Sequence, residues 1–197
     1  MFFFSKKKQE LTNIMKKPRQ KKKDSNTKWI IQILIMSFTI SLVFSFGSEI
    51  VLNQVSSYVG AIILILFILF GVLFDMVGTA VTSADISPFN SMNARKVKGA
   101  DVAVKFKKNA DKVSSFCNDV IGDICGIISG SAGVIVAAAL SSALKVDPFI
   151  VSLIVTALVA SMTIGGKAIG KGFAIKNSTN ILYGFAKVVS LFYKPKK

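Results

Sequence analysis

The chain has no histidine. That removes the commonest general base and the commonest transition-metal ligand. No Ser/His/Asp set can form, no metal-hydrolase motif is present, and no enzymatic activity is expected. Cysteine is scarce: Cys117 and Cys125 both fall in one apolar stretch. Their i, i+8 spacing on a helix is too long for a disulfide, so they read as small packing residues. Acids are few as well, 10 Asp and Glu against 25 Lys and Arg, for a net charge of +15. Charged residues make up only 18% of the chain, below the roughly 25% of soluble domains. With 52% hydrophobic residues, this balance excludes an ordinary soluble globule and predicts a small all-α integral membrane protein.

What is present falls into apolar runs separated by basic segments. Residues 1–28 form a polar tail with ten Lys or Arg. A disordered tail touching anionic lipid is expected, each base contributing about 1 kcal/mol near the surface. It lacks the aromatic interleaving and the folded basic motif of a nucleic-acid binder. The first apolar run, Trp29 to Phe46, is long enough to span a core of ~30 Å. It exceeds the ~7–15 residues of a signal-peptide core, so a retained anchor is predicted. A second run goes from Val59 to Phe74 and resumes weakly to Ala84 after Asp75. A break at Asp75–Thr79 is expected there, with Gly78 permitting unwinding.

Residues 85–112 are a hydrophilic connector with seven Lys or Arg and a mildly amphipathic stretch around Val97, Val102, Val104 and Phe106, expected as a helix on the membrane surface. Val113 to Leu144 is the central apolar segment, yet it carries Asp119 and Asp123. At i, i+4 these share a helix face. Gly122, Gly126 and Gly130 flank it and predict close helix packing. A turn is expected at Lys145–Pro148, then a last span from Phe149 to Ile164. The following Gly165-x4-Gly170-Lys171 superficially matches a phosphate-binding loop. Position 172 is Gly, not Ser or Thr, and an apolar helix precedes it, so nucleotide binding is rejected. The glycines instead predict a bend at the membrane exit. Residues 173–193 repeat apolar positions at helical spacing and predict an interfacial amphipathic helix.

With four spans and both termini on one side, 24 of the 25 basic residues share that side and only Lys145 is opposite. The positive-inside rule makes it cytoplasmic, in a multi-pass protein of the cell membrane.

Asp75, Asp119 and Asp123 are acids within spanning segments. Such groups cost roughly 2.5–3.5 kcal/mol each at bilayer depth and mark function by default. Two mechanisms are open. In one, the three acids with Thr79, Thr82 and freed backbone carbonyls ligate a hard divalent cation such as Mg²⁺ through oxygen alone. In the other, Lys167 pairs with the acids and the protein is a non-transporting partner of another membrane protein. A small holin-like protein also fits the size and the basic tail.

Residues 60–193 resemble the transmembrane domain of the CorB/CorC/cyclin M family of magnesium transporters. Thr79-Ala80-Val81-Thr82-Ser83 is similar to that family's first-helix pattern. Asn118-Asp119-Val120-Ile121-Gly122-Asp123-Ile124 is similar to its second-helix Gly-Asn-Thr-Leu-Val-Asn-Ile. Gly166-Lys167 through Asn177 is similar to its third-helix exit. The resemblance implies a dehydrated Mg²⁺ site, with Asp75 at the position of a ligand Ser and Asp119 and Asp123 at those of two Asn. It also implies a homodimer. Departures are plain: the family's third-helix Glu is Lys167 here, its first-helix Glu is Gly78, and the span at 29–46 is additional. The nucleotide-sensing domains that follow in that family are not within these 197 residues, so ATP regulation is not expected.

Overall fold

The computed structural model describes residues 20–52 and 56–192, and every element among them is helical. Four helices are long and apolar enough to cross a membrane: Ile30–Ser48, Ser57–Ser83, Ala110–Leu144 and Pro148–Lys176. The protein is thus an all-α membrane protein.

Helix α1 spans Gln20–Leu52. It begins earlier than the sequence predicts, so residues 20–28 are helical and not tail. Residues 1–19, where most of the predicted tail lies, fall outside the described residues. Two compact units divide at Thr39 and Ile40, within α1. Leu34, Phe38 and Phe46 along this helix are all exposed, as lipid-facing side chains are.

The second unit contains α2 (Ser57–Ser83), α3 (Ser87–Ala94), α4 (Ala100–Lys108) and α5 (Ala110–Ser115), then a π-helical turn over Phe116–Ile121. Helices α6 (Gly122–Leu144), α7 (Pro148–Lys176) and α8 (Ser178–Phe192) complete it. Helices α2, α6 and α7 pack mutually into a three-helix bundle. The predicted break at Asp75–Thr79 is absent: α2 is continuous to Ser83. Thr82 Oγ1 donates to Thr79 O at 2.9 Å, so the hydroxyl is turned onto its own helix. The predicted bend at Gly165–Gly172 is also absent, and α7 runs unbroken to Lys176. Packing against α2 holds it straight, because Gly166 and Gly170 are contact points.

The turn between α6 and α7 follows its residues. Lys145 takes a left-handed φ of 54°, and Asp147 accepts a hydrogen bond from Phe149 N at 2.8 Å with Pro148 opening α7.

At the opposite end the basic connector folds into a small second core. Val81 and Ala84 of α2, Phe89 of α3, Val102–Val104 of α4 and Leu182 and Ala186 of α8 are buried together. The valines of α4, predicted to lie on a membrane surface, instead face this core. Gly99 makes the close approach possible. Its φ is +86°, and a Cβ there would lie 3.0 Å from Lys187 Cα on α8. Lys107 ties the layer to the bundle, donating to Thr82 O at 2.7 Å and Val81 O at 3.1 Å. A cation on the last carbonyls of α2 matches the negative end of the helix dipole.

Candidate functional site

The site is built where α2, α6 and α7 cross. On α2 the buried stripe is Gly60, Leu64, Ile68, Gly71, Asp75 and Gly78, one face at helical spacing. Asp75 is 5% exposed. Two glycines bracket it. A Cβ at Gly71 would lie 3.1 Å from Cys125 Cβ on α6, and a Cβ at Gly78 would collide with the carboxamide oxygen of Asn118. The two helices run antiparallel, so Asp75 stands opposite Gly122. Helix α7 arrives at the same height. A Cβ at Gly166 would lie 2.9 Å from Val72 Cγ2, and one at Gly170 would lie 2.9 Å from Met76 Cγ. Lys167 is next to that contact. Its ammonium would be 3.7 Å from a Cβ on Gly122, and it lies within electrostatic reach of Cys125.

Helix lengths agree with this coplanarity. At about 1.5 Å per residue, Asp75 is ~27 Å from Ser57, Gly122 ~33 Å from Leu144 and Lys167 ~29 Å from Pro148. An apolar slab of ~30 Å starting at the Lys145–Asp147 turn therefore ends near this level. By helix length the centre lies toward the connector end of the bundle, not at its middle.

Two buried acceptors near this crossing lack donors: Asp75 Oδ2 on α2 and Asn118 Oδ1 on the facing π-helical turn. Asp75 and Gly78 are i, i+3, so their β-positions are ~5–6 Å apart, and Asn118 Oδ1 abuts the second. Asn118 Nδ2 donates to Ser114 Oγ at 3.4 Å, which leaves its oxygen turned toward α2. A buried acceptor without a partner costs about 1–3 kcal/mol, more if charged. Two side by side call for a positive partner, either a proton or a cation.

The predicted ligand set is not assembled. Asp119, in the π-helical turn, and Asp123, on α6, are both exposed, whereas Asp75 is buried. Among the described residues no group of three or more His, Cys, Asp or Glu could hold a metal ion. Thr79 is half-buried one position past the site face, and no hydrogen bond engages its hydroxyl. Asp75 and Lys167 stand at one level but form no ion pair. Of the predicted packing glycines only Gly122 is buried; Gly126 and Gly130 are exposed with open space where a Cβ would stand. The close contacts are made by Gly71, Gly78, Gly166 and Gly170 instead. Asn118 is the residue that sequence reasoning passed over. Its signal was the small and polar series Asn118, Gly122, Cys125, Ser129 and Ala132, whose spacing marks the buried face of α6.

No family model, curated protein or solved structure matches the chain.

Proposed function

We propose that this protein handles a hard cation at the Asp75–Asn118 centre of its α2–α6–α7 bundle. The orphaned acceptors Asp75 Oδ2 and Asn118 Oδ1, both buried, carry this reading. Oxygen surroundings without histidine favour a hard ion over a soft one. Mg²⁺ is the ion suggested by the resemblance of residues 60–193 to the CorB/CorC/cyclin M transmembrane domain. It is commonly held by only one or two carboxylates while keeping several waters, so a site with one acid and one carboxamide suits it. The positive-inside rule places the connector, the α8 side and both termini in the cytoplasm. The centre then opens at the cytoplasmic edge of the membrane.

The test is Mg²⁺ uptake by vesicles containing the purified chain. Asp75→Asn should abolish uptake and Asn118→Ala should lower it severalfold, while Asp119→Asn should leave it close to wild type. Uptake that survives Asp75→Asn would refute the proposal.

A second reading is favoured by one observation, the ammonium of Lys167 at the level of Asp75. There the Lys serves as a permanent counter-charge and the protein is a non-transporting membrane partner. That reading expects no Mg²⁺ response of any kind.

A further inference from the structure

Gly122 is buried and carries no side chain, and the space in front of it receives the ammonium of Lys167. Among the described residues this ammonium makes neither a hydrogen bond nor an ion pair. A cation held so close to a buried carboxylate, yet not on it, needs a physical reason. Three contacts fix where it can go. Gly166, its chain neighbour, lies against Val72, and Gly170 lies against Met76, so the Lys stem leaves α7 beside the turn of α2 that carries Asp75. Cys125, within electrostatic reach of Lys167, touches Gly71, one turn from Asp75 on the same face. The Lys stem is a flexible four-carbon chain, so the ammonium has freedom to move away from Gly122.

We propose that Lys167 is a resident cation that competes with the bound ion for Asp75. Without the ion, the ammonium swings onto the carboxylate and satisfies it. When the ion arrives, Lys167 withdraws to the berth at Gly122. This inference rests on the cation reading of the Asp75–Asn118 centre and adds the device that sets its affinity. Lys167 is a positioning residue here, acting on the ion only through Asp75. An occupant that must be displaced lowers apparent affinity in proportion to the fraction of time it leaves the site free. It also spares the empty protein an unpaired buried charge, since breaking such a pair is costly. Gly122 is then bare for a functional reason, because branched carbons there would fill the berth.

The experiment uses the full chain, reconstituted in vesicles for Mg²⁺ uptake and in micelles for thermal unfolding with and without Mg²⁺. Lys167→Gln should lower the half-saturating Mg²⁺ concentration roughly tenfold, within the usual range of coupling between sites. Gly122→Val should raise it, by forcing the ammonium toward Asp75. Lys167→Arg, which keeps the charge, should stay close to wild type. In Mg²⁺-free buffer Lys167→Gln should melt about 4 °C lower than wild type, on the order of 1 kcal/mol for a chain of this size, and saturating Mg²⁺ should restore it. Equal half-saturation in wild type and Lys167→Gln, or a lowered melting temperature that Mg²⁺ does not correct, overturns the inference. If Asp75→Asn abolishes the Mg²⁺ response while Lys167→Gln binds like wild type, only the competition fails. If wild type shows no Mg²⁺ response, or Asp75→Asn keeps a full one, the cation reading fails and this inference with it.

Discussion

Substituting Gly78 by Ala tests the geometry of the centre before any ion is added. The new methyl would collide with the Asn118 carboxamide oxygen and stand 2.7 Å from its Cγ and 3.0 Å from its Nδ2. The side chain of Asn118 must then leave, or the two helices must part. Overpacking of this kind costs about 1–3 kcal/mol. The gain in helix propensity from Gly to Ala returns ~0.8–1.0 kcal/mol. The net expectation is a loss of up to about 2 kcal/mol. Adding Asn118→Ala removes the obstacle, so the double variant should recover most of that loss, a coupling of about 1–2 kcal/mol. Gly126→Ala and Gly130→Ala are the internal controls. Both positions face open space, so each should be neutral or mildly stabilising. Reversible unfolding in micelles of six proteins, the wild type, Gly78→Ala, Asn118→Ala, their double variant and the two controls, reads all of these terms. If Gly78→Ala is as well tolerated as Gly126→Ala, or if Asn118→Ala does not relieve it, the placement of Asn118 against α2 is wrong.

Other outcomes follow from the same structure. Lys107→Met leaves the carbonyls of Val81 and Thr82 without their donor and should cost about 1–2 kcal/mol in the same unfolding assay. Gly99→Ala combines a φ of +86° with a contact to α8 backbone, and should cost more than 1 kcal/mol, roughly, and weaken protection of α4 and α8 amides in hydrogen exchange. Phe185→Ala removes ring contacts to both Phe74 and Phe106, and should cost about 3–5 kcal/mol if the site cannot collapse. A drop below 1 kcal/mol there would show that α8 is not packed on the bundle.

The spans were legible because apolar runs of that length have few other uses, and the α6–α7 turn because Asp147-Pro148 carries its own cap and helix start. Continuity through Gly78 and Gly165–Gly172 was not legible. A glycine weakens a helix in isolation, but here Gly78, Gly166 and Gly170 each face a neighbour that fills the space it leaves. The connector's core escaped because α3, α4 and α5 are each too short to show a clear period, and their apolar residues converge only with Leu182 and Ala186. The two acids around Gly122 stand differently from Asp75. Asp119 and Asp123 look costly inside an apolar run, yet the structure leaves both exposed while Asp75 is buried. Asn118, uncharged and adjacent, was hidden by the residue that follows it. Asp75 stood out in the sequence because Val59–Phe74 is only 16 residues, short for a span that would end at it.

The central claim is that Asp75 and Asn118 jointly face a cation. Mn²⁺ substitutes for Mg²⁺ at oxygen-ligand sites and scatters anomalously. Crystals of the full chain soaked in Mn²⁺ should show an anomalous peak beside Asp75 Oδ2 and Asn118 Oδ1, lost on back-soaking with Mg²⁺ and missing from Asp75→Asn. Manganese found only at the exposed Asp119 and Asp123, or nowhere on the bundle, would contradict the account.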